Sequence, residues 1–364
     1  MKKGKKKVSI IGTNGLPGRY GGWDQLLNNL TIELKDRFDF IVYTSSHNAV
    51  DNLTHVNSAE LRIVKLKANG IQSIPYDIFS MLDSVFKRHD VLVIMGVSGC
   101  VFLPFIKPFT KKVILNIDGA EWKRGKWSAF AKWFLKLSEK LGVLYADIVI
   151  SDNKVIQDYV LSEYGKHSEL IAYGGDNVVK TPLTTETSLK YGISSRKYAF
   201  KVCRIEPENN LDMILEAFSQ LSFPLVIVGN WNNSVYGIEL RKRYVHNNNF
   251  QLLDPIYDQD KIDELRGNCG LYIHGHSVGG TNPSLVEAMN LGLCCLVYDV
   301  SYNRETTENK AYYFQDAETL KELINSFSGM DDIRVLDCGL RMSEIAQRRY
   351  RWSVIVDSYS QLLN

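Results

Sequence analysis

Residues 274–289 read HGHSVGGTNPSLVEAM, two histidines, a Gly-Gly pair, hydroxyl side chains and one glutamate leading into an apolar helix period. His274 and His276, two apart, share a face of a strand, as zinc ligands do. No HExxH and no neighbouring cysteine pair supplies a third ligand, so no metal is expected. Ser284 lacks the GxSxG surround of a nucleophile elbow. Gly279, Gly280, Thr281 and Asn282 lead instead into Pro283 at a helix start, a pattern that turns the backbone amides of Gly280 to Ser284 toward an anion. Glu287 follows about one helical turn later, where a carboxylate can accept both hydroxyls of a sugar.

Three further stretches carry possible chemistry. GTNGLPGRYGGWDQL (12–26) sets Gly12, Gly15, Gly18, Gly21 and Gly22 before a helix, a turn through which backbone N–H groups approach an anion. GxGxxG is absent, the second strand ends in Ser and His, and there is no GK[ST]. These exclude a dinucleotide fingerprint and a P-loop, and leave a ligand turn and a plain tight turn both open. NIDGAEWKRGKW (116–127) mixes Asp118, Glu121, Lys123, Arg124 and Lys126 with two tryptophans, either a grip for a hydroxylated ligand or a solvated loop of paired charges. In CRIEPENNLDMILEAF (203–218), Arg204 at a strand end can clamp a diphosphate with two parallel hydrogen bonds or pair with Glu206 or Glu208.

The positioning elements are legible as alternating β-branched runs and helix periods. KVSIIG, DFIVYTS, LRIVKL, DVLVIMG, KKVILNID and ADIVISD read as strands, with GWDQLLNNLTIELKDR and SAFAKWFLKLSEKLGVLY as helices between them. The pattern restarts with KYAFKVCRI, PLVIVGN, NFQLLDPI, GLYIHGH and CCLVYDV. An α/β class with two Rossmann-like doubly wound domains follows: 1–177, a polar linker at 178–197, 198–345, and a C-terminal helix at 346–364 that packs back across the linker. Two such sheets facing a central cleft bring ligands to their carboxyl ends.

Bulk properties bound the partners. The chain has 364 residues, with 43 Lys+Arg against 41 Asp+Glu, which gives no support for a nucleic-acid binder. Six cysteines without a CxxC fit a reducing compartment. No signal-peptide core follows the basic start and no apolar run reaches about 18 residues, so a cytoplasmic location is expected. MKKGKKK reads as a solvated terminus or a contact to anionic lipid. FLPFIKPFTKK (102–112) and the helix around Trp127 and Trp133 face either a membrane or the core.

Taken in order, GRYGGWDQLLNNL, NIDGAEWKRGKW, RIEPENN, IVGNW and HGHSVGGTNPSLVEAM resemble the retaining glycosyltransferases of family 4, with the two-domain GT-B fold, over nearly the whole chain. More narrowly, they resemble a rhamnosyltransferase-like branch that builds bacterial surface polysaccharides. The resemblance implies a nucleotide-sugar donor, dTDP-rhamnose favoured and UDP- or GDP-sugars fitting the same cradle, and a saccharide acceptor, plausibly lipid-linked, at the cytoplasmic face of the membrane. It implies no metal or other cofactor. Gly21 and Gly22 would approach the donor diphosphate, and Arg204 would neutralise it as it leaves. Glu287 would hold the ribose. Gly280, Thr281, Asn282, Ser284 and Leu285 would face the phosphates and sugar, and Pro255 and Ile256 would pack on the base. Asp118 falls near the reacting sugar, where relatives carry a histidine, and Glu121, Lys123 and Arg124 fall on the acceptor side. Relatives also carry a glutamate where this chain has Gly279 and a lysine where it has Asn209. Two alternatives stand beside this reading: a sugar-nucleotide epimerase of the same shape, and a binding protein without turnover.

Overall fold

The β-branched runs become short parallel strands buried on both faces. In β1 (Lys6–Ile11), Val8, Ser9, Ile10 and Ile11 are all inaccessible to solvent. The computed structural model describes residues 4–18, 21–51, 53–123 and 127–364. They fall into two units, Met1–Tyr173 with Ser353–Asn364, and Gly174–Trp352.

The first unit adds β2 (Phe38–Ser45), β3 (His55–Val56), β4 (Ala59–Val64), β5 (Val91–Met95), β6 (Lys112–Asn116), β7 (Ile148–Ser151) and β8 (Glu169–Leu170). Its sheet runs β3-β4-β2-β1-β5-β6-β7-β8, parallel except for the antiparallel β3–β4 pair. The order reverses between β1 and β5, a switch point beside which the loops after those strands open. The second unit is built on β9 (Ala199–Val202), β10 (Leu225–Val228), β11 (Phe250–Leu253), β12 (Leu271–His274), β13 (Cys294–Tyr298) and β14 (Tyr312–Phe314). Its all-parallel order is β11-β10-β9-β12-β13-β14, with the switch point between β9 and β12.

Two segments differ from the sequence reading in detail. Residues 178–197, expected as a linker, are built into the second unit. They carry the Thr185–Tyr191 helix, capped by Thr184, and donate Val179 N to Asp263 (2.9 Å) and Thr184 N to Glu264 (2.8 Å). Thr184 and Thr187, two of the polar residues that suggest a linker, are spent on that docking through Glu264 and Lys261. The C-terminal segment forms the Trp352–Leu363 helix, and Ser353–Asn364 belongs to the first unit, where Tyr359 accepts from Asn116 Nδ2 at 3.0 Å. Among the described residues, no helix is long and apolar enough to cross a membrane.

Candidate functional site

The glycine-rich loop of the first unit is bolted down from three sides. Tyr76 Oη, fully buried, lies 3.0 Å from Thr13 O and 2.7 Å from Tyr43 O, Ser45 N donates to Asn14 O (3.1 Å), and Asn48 Nδ2 reaches Pro17 O (3.2 Å). Gly21 caps the Gly22–Glu33 helix at φ 115°, a conformation L side chains avoid, and among the described residues no atom beyond its chain neighbours lies within 4 Å of where its Cβ would sit. Across the switch point, the loop after β5 is tied by Asp77, whose Oδ2 accepts from Gly99 N at 3.0 Å.

Asp118 follows β6 with φ 62° and donates its amide to Asn116 Oδ1 at 3.2 Å. Left-handed backbone in a non-glycine residue at a strand end is the kind of local strain found where a side chain must be aimed. Glu121 accepts from Trp127 Nε1 at 3.3 Å, and Lys123 Nζ lies 4.9 Å from the centre of the Tyr159 ring. Arg124 lies outside the described residues, as does Lys126. What the sequence reading missed is the support beneath this loop. Lys136 Nζ sits 4.7 Å from the Trp122 ring and 5.0 Å from the Tyr164 ring, and donates to Tyr159 Oη at 2.7 Å. The buried Glu139 accepts from both tyrosine hydroxyls. Burial pushes the Glu139 carboxyl upward in pKa against the opposing pull of those hydrogen bonds.

In the second unit the loops after β9 and β12, on either side of the switch point, are stitched together. Asn210 Nδ2 donates to Gly275 O (2.8 Å) and Ser277 N to Glu208 O (2.9 Å). Arg204 leaves this seam half-exposed, with Glu206 Oε2 3.6 Å from its Nη1. A pair that long and that wet costs little to exchange for a ligand oxyanion. Asn209, expected at the donor, is buried and committed to the seam: its Nδ2 donates to Arg204 O at 2.9 Å and its Oδ1 lies 3.2 Å from His276 Nδ1. His274 is buried, stacked on Tyr272 with ring centroids 6.4 Å apart, and burial lowers its pKa well below the usual histidine value. Pro255 and Ile256 are half-buried after β11, at the same carboxyl end of the sheet.

The Pro283–Asn290 helix begins differently from the expectation. Asn282 caps it, accepting from Ser284 N (3.1 Å) and Ser284 Oγ (2.8 Å), while Leu285 N donates to Asn282 O (3.1 Å). The amides of Ser284 and Leu285 are thus engaged by the cap, and the Leu285 side chain is wholly in the core. The anion-facing reading moves to the residues ahead of the cap, with Gly280 half-buried and Thr281 buried. Gly279 has φ 98°, which gives a backbone reason for glycine where relatives carry a glutamate.

Glu287 projects from the next turn, 6% exposed. Its Oε2 pairs with Arg266 and its Oε1 accepts from Asn177 Nδ2 at 3.2 Å. Arg266 is itself buried and reaches Asp263 Oδ1 at 3.0 Å. Burial opposes the guanidinium charge, and Glu287, Tyr272 and Asp263 together outweigh it, raising the Arg266 pKa. Arg266 and Asn177 escaped the sequence reading because neither belongs to a motif.

Residues 185–335 match the family model of glycosyl transferases group 1, and residues 5–176 match a domain of unknown function, DUF1972. No curated protein matches the sequence. Among solved structures, the sucrose-phosphate synthase of Thermosynechococcus elongatus is similar with a TM-score of 0.81 at 16% identity, covering 98% of both chains. HepE of Anabaena, in complex with UDP and glucose, gives 0.78 at 15% identity over 99% of both. A putative UDP-N-acetylglucosamine 2-epimerase of Listeria monocytogenes gives 0.63 at 13% identity, covering 98% of this chain and 94% of its own. Likeness at these identities speaks for the shared architecture. The chain has the two-domain GT-B fold, and residues 185–335 of its second unit match the glycosyl transferases group 1 model.

Proposed function

We propose that the chain moves a sugar from a nucleoside diphosphate donor to a saccharide acceptor with retention of anomeric configuration, without a metal. Rhamnose from dTDP-rhamnose is the favoured donor group, and the acceptor is a lipid-linked saccharide in surface polysaccharide synthesis. The observation that carries this reading is Arg204, a half-exposed and loosely paired guanidinium at the second unit's switch point, in a segment that matches the group 1 family model and also holds the buried Glu287–Arg266 pair. The UDP and glucose bound by HepE support the donor class.

In this reaction the bond from the anomeric carbon to the phosphate oxygen breaks, and the acceptor oxygen bonds to that carbon on the same face. The acceptor's proton passes to the departing phosphate oxygen. Arg204 offsets the charge that grows on the diphosphate, so catalysis is positioning plus charge stabilisation. The Asp118 carboxylate stabilises positive charge on the sugar. Glu121, Lys123 and Arg124 meet acceptor hydroxyls.

Support for a lipid-linked acceptor comes from the Ala129–Tyr145 helix, which leaves Phe130 (73% exposed), Trp133 (60%), Leu144 and Tyr145 in solvent, with Lys132 and Lys140 on the same helix. Aromatic and lysine side chains on one surface helix suit a bilayer interface at the cytoplasmic face.

Thermal unfolding in the presence of dTDP, UDP and GDP tests the donor, because a ligand of the native state raises the midpoint. Arg204→Ala is expected to weaken the responding diphosphate about tenfold with little loss of stability. Unchanged binding would remove the clamp. Chelation of divalent ions is expected to leave turnover intact, and donor converted without an acceptor-linked product would return the epimerase reading. Co-sedimentation with anionic vesicles, lost in a Phe130→Ser/Trp133→Ser double variant, checks the membrane contact.

A further inference from the structure

Glu287 is gripped on both oxygens, and the second grip comes from an unexpected place. Asn177 Nδ2 donates to its Oε1 at 3.2 Å. A side-chain amide can present either its NH₂ or its oxygen, and the choice at Asn177 is made by Trp352, whose Nε1–H donates to Asn177 Oδ1 at 3.0 Å. Trp352 is in turn immobilised. Its backbone N–H donates to Asp176 Oδ1 at 2.7 Å, and its ring lies against Gly174, where a Cβ would sit 2.5 Å from ring atoms. Gly175 N adds a bond to Tyr350 O at 2.9 Å. Residues 174–177 and 350–352 are the two ends of the second unit. The strands of chain that enter and leave that unit are therefore laced to each other and, through one amide, to Glu287.

We propose that Asn177 and Trp352 are positioning residues that aim the Glu287 carboxylate at the ribose of a bound nucleotide. This rests on the reading of Glu287 as the ribose-holding group. The Arg266 guanidinium engages one oxygen and the Asn177 amide the other, and a donor on each oxygen helps to fix the carboxylate plane. Without the indole N–H, the Asn177 amide loses the bond that holds its plane, and its N–H no longer meets Glu287 along a fixed line. Nucleotide affinity then depends on a residue at the boundary of the unit rather than at the switch point.

The test is titration calorimetry of the full chain with dTDP, UDP and GDP, and with inorganic pyrophosphate as a probe that has no ribose. Trp352→Phe keeps the aromatic bulk and removes the donor. Asn177→Ala removes the relay, and Glu287→Gln is the reference. Trp352→Phe and Asn177→Ala are each expected to weaken the best nucleoside diphosphate about five- to tenfold while leaving pyrophosphate within about twofold. Equal weakening of both probes would mean general damage to the unit and overturn the proposal. If Glu287→Gln weakens the nucleotide and the other two variants do not, the positioning role fails while the reading of Glu287 stands. If Glu287→Gln leaves the nucleotide unchanged, or none of the three nucleotides binds the unaltered chain, that reading fails and the proposal with it.

Discussion

The two units handle a buried acid beside their switch points in opposite ways. In the first, Asp77 is 2% exposed, accepts one backbone N–H from Gly99, and its Oδ1 has no hydrogen-bond partner among the described residues. Burial pushes its pKa up to about 8, so the loop after β5 is anchored by a largely uncharged carboxyl at neutral pH. In the second, Glu287 is nearly as buried but faces the Arg266 guanidinium, which Asp263 also holds. The Asp77 anchor avoids charge, and the Glu287 network concentrates it. On the proposed reading, in which Glu287 holds a nucleotide, fixed and paired charge serves discrimination, whereas a loop that only needs to stay in place has no use for it.

The largest effect that would break this contrast is expected at Arg266. Arg266→Met leaves Glu287 and Asp263 buried without their cation, which costs about 3–5 kcal/mol and is read as a lowered unfolding midpoint of the second unit. If the loss were under about 1 kcal/mol, the network would be wet and the proposed fixed charge would be absent. The double replacement Arg266→Met with Glu287→Leu should recover much of the stability and none of the nucleotide binding.

Next in size is a pH dependence confined to the first unit. A carboxyl whose folded pKa is raised from 3.8 to about 8 contributes stability that is complete below the lower value and is lost as pH rises through the upper one. Across that window the slope is at most about 1.4 kcal/mol per pH unit. Asp77→Asn, which keeps shape and the Gly99 bond, is expected to match the parent in acid, to remove this slope, and to be the more stable protein above pH 8. Identical pH profiles for variant and parent would show Asp77 to be charged and partnered in solution.

Much of this arrangement was legible in the residue order, and the remainder was illegible for a physical reason. Strands such as β1 and β12 announce themselves because each is covered on both faces and so reads as an apolar run. Arg204, Gly21 and Glu287 stand out because each follows a strand or opens a helix at a recognisable spacing. The two-residue strands β3 and β8 carry too little sequence to show a period. Arg266, Asn177 and Trp352 lie 21, 110 and 175 positions from the atoms they hold, and only folding brings such pairs together. The assignment of free amides to Ser284 and Leu285 failed on a local detail, because the same Asn282 that marks the helix start also consumes them. The linker reading failed because polar composition does not distinguish residues exposed to water from residues spent on caps and docking bonds.

The smallest expected effect concerns an acid that the second unit lacks. Relatives in the resembled family place a glutamate where Gly279 stands, and restoring it would seem the direct way to strengthen sugar recognition. The backbone argues otherwise. At φ 98° any side chain is strained, although the nearest atom to an added Cβ, His276 Nε2, is a tolerable 3.7 Å away. The cost is therefore conformational rather than steric, about 1–2 kcal/mol, and should be nearly equal for Gly279→Ala and Gly279→Glu. Gly279→Glu is expected to bind the donor no more tightly than the parent, since relaxing the backbone would swing the new carboxylate away from the position it holds in relatives. A Gly279→Glu protein that bound the nucleotide sugar more tightly, with no gain for the nucleoside diphosphate alone, would show that the loop adapts at little cost and that paired charge at this seam is not yet complete.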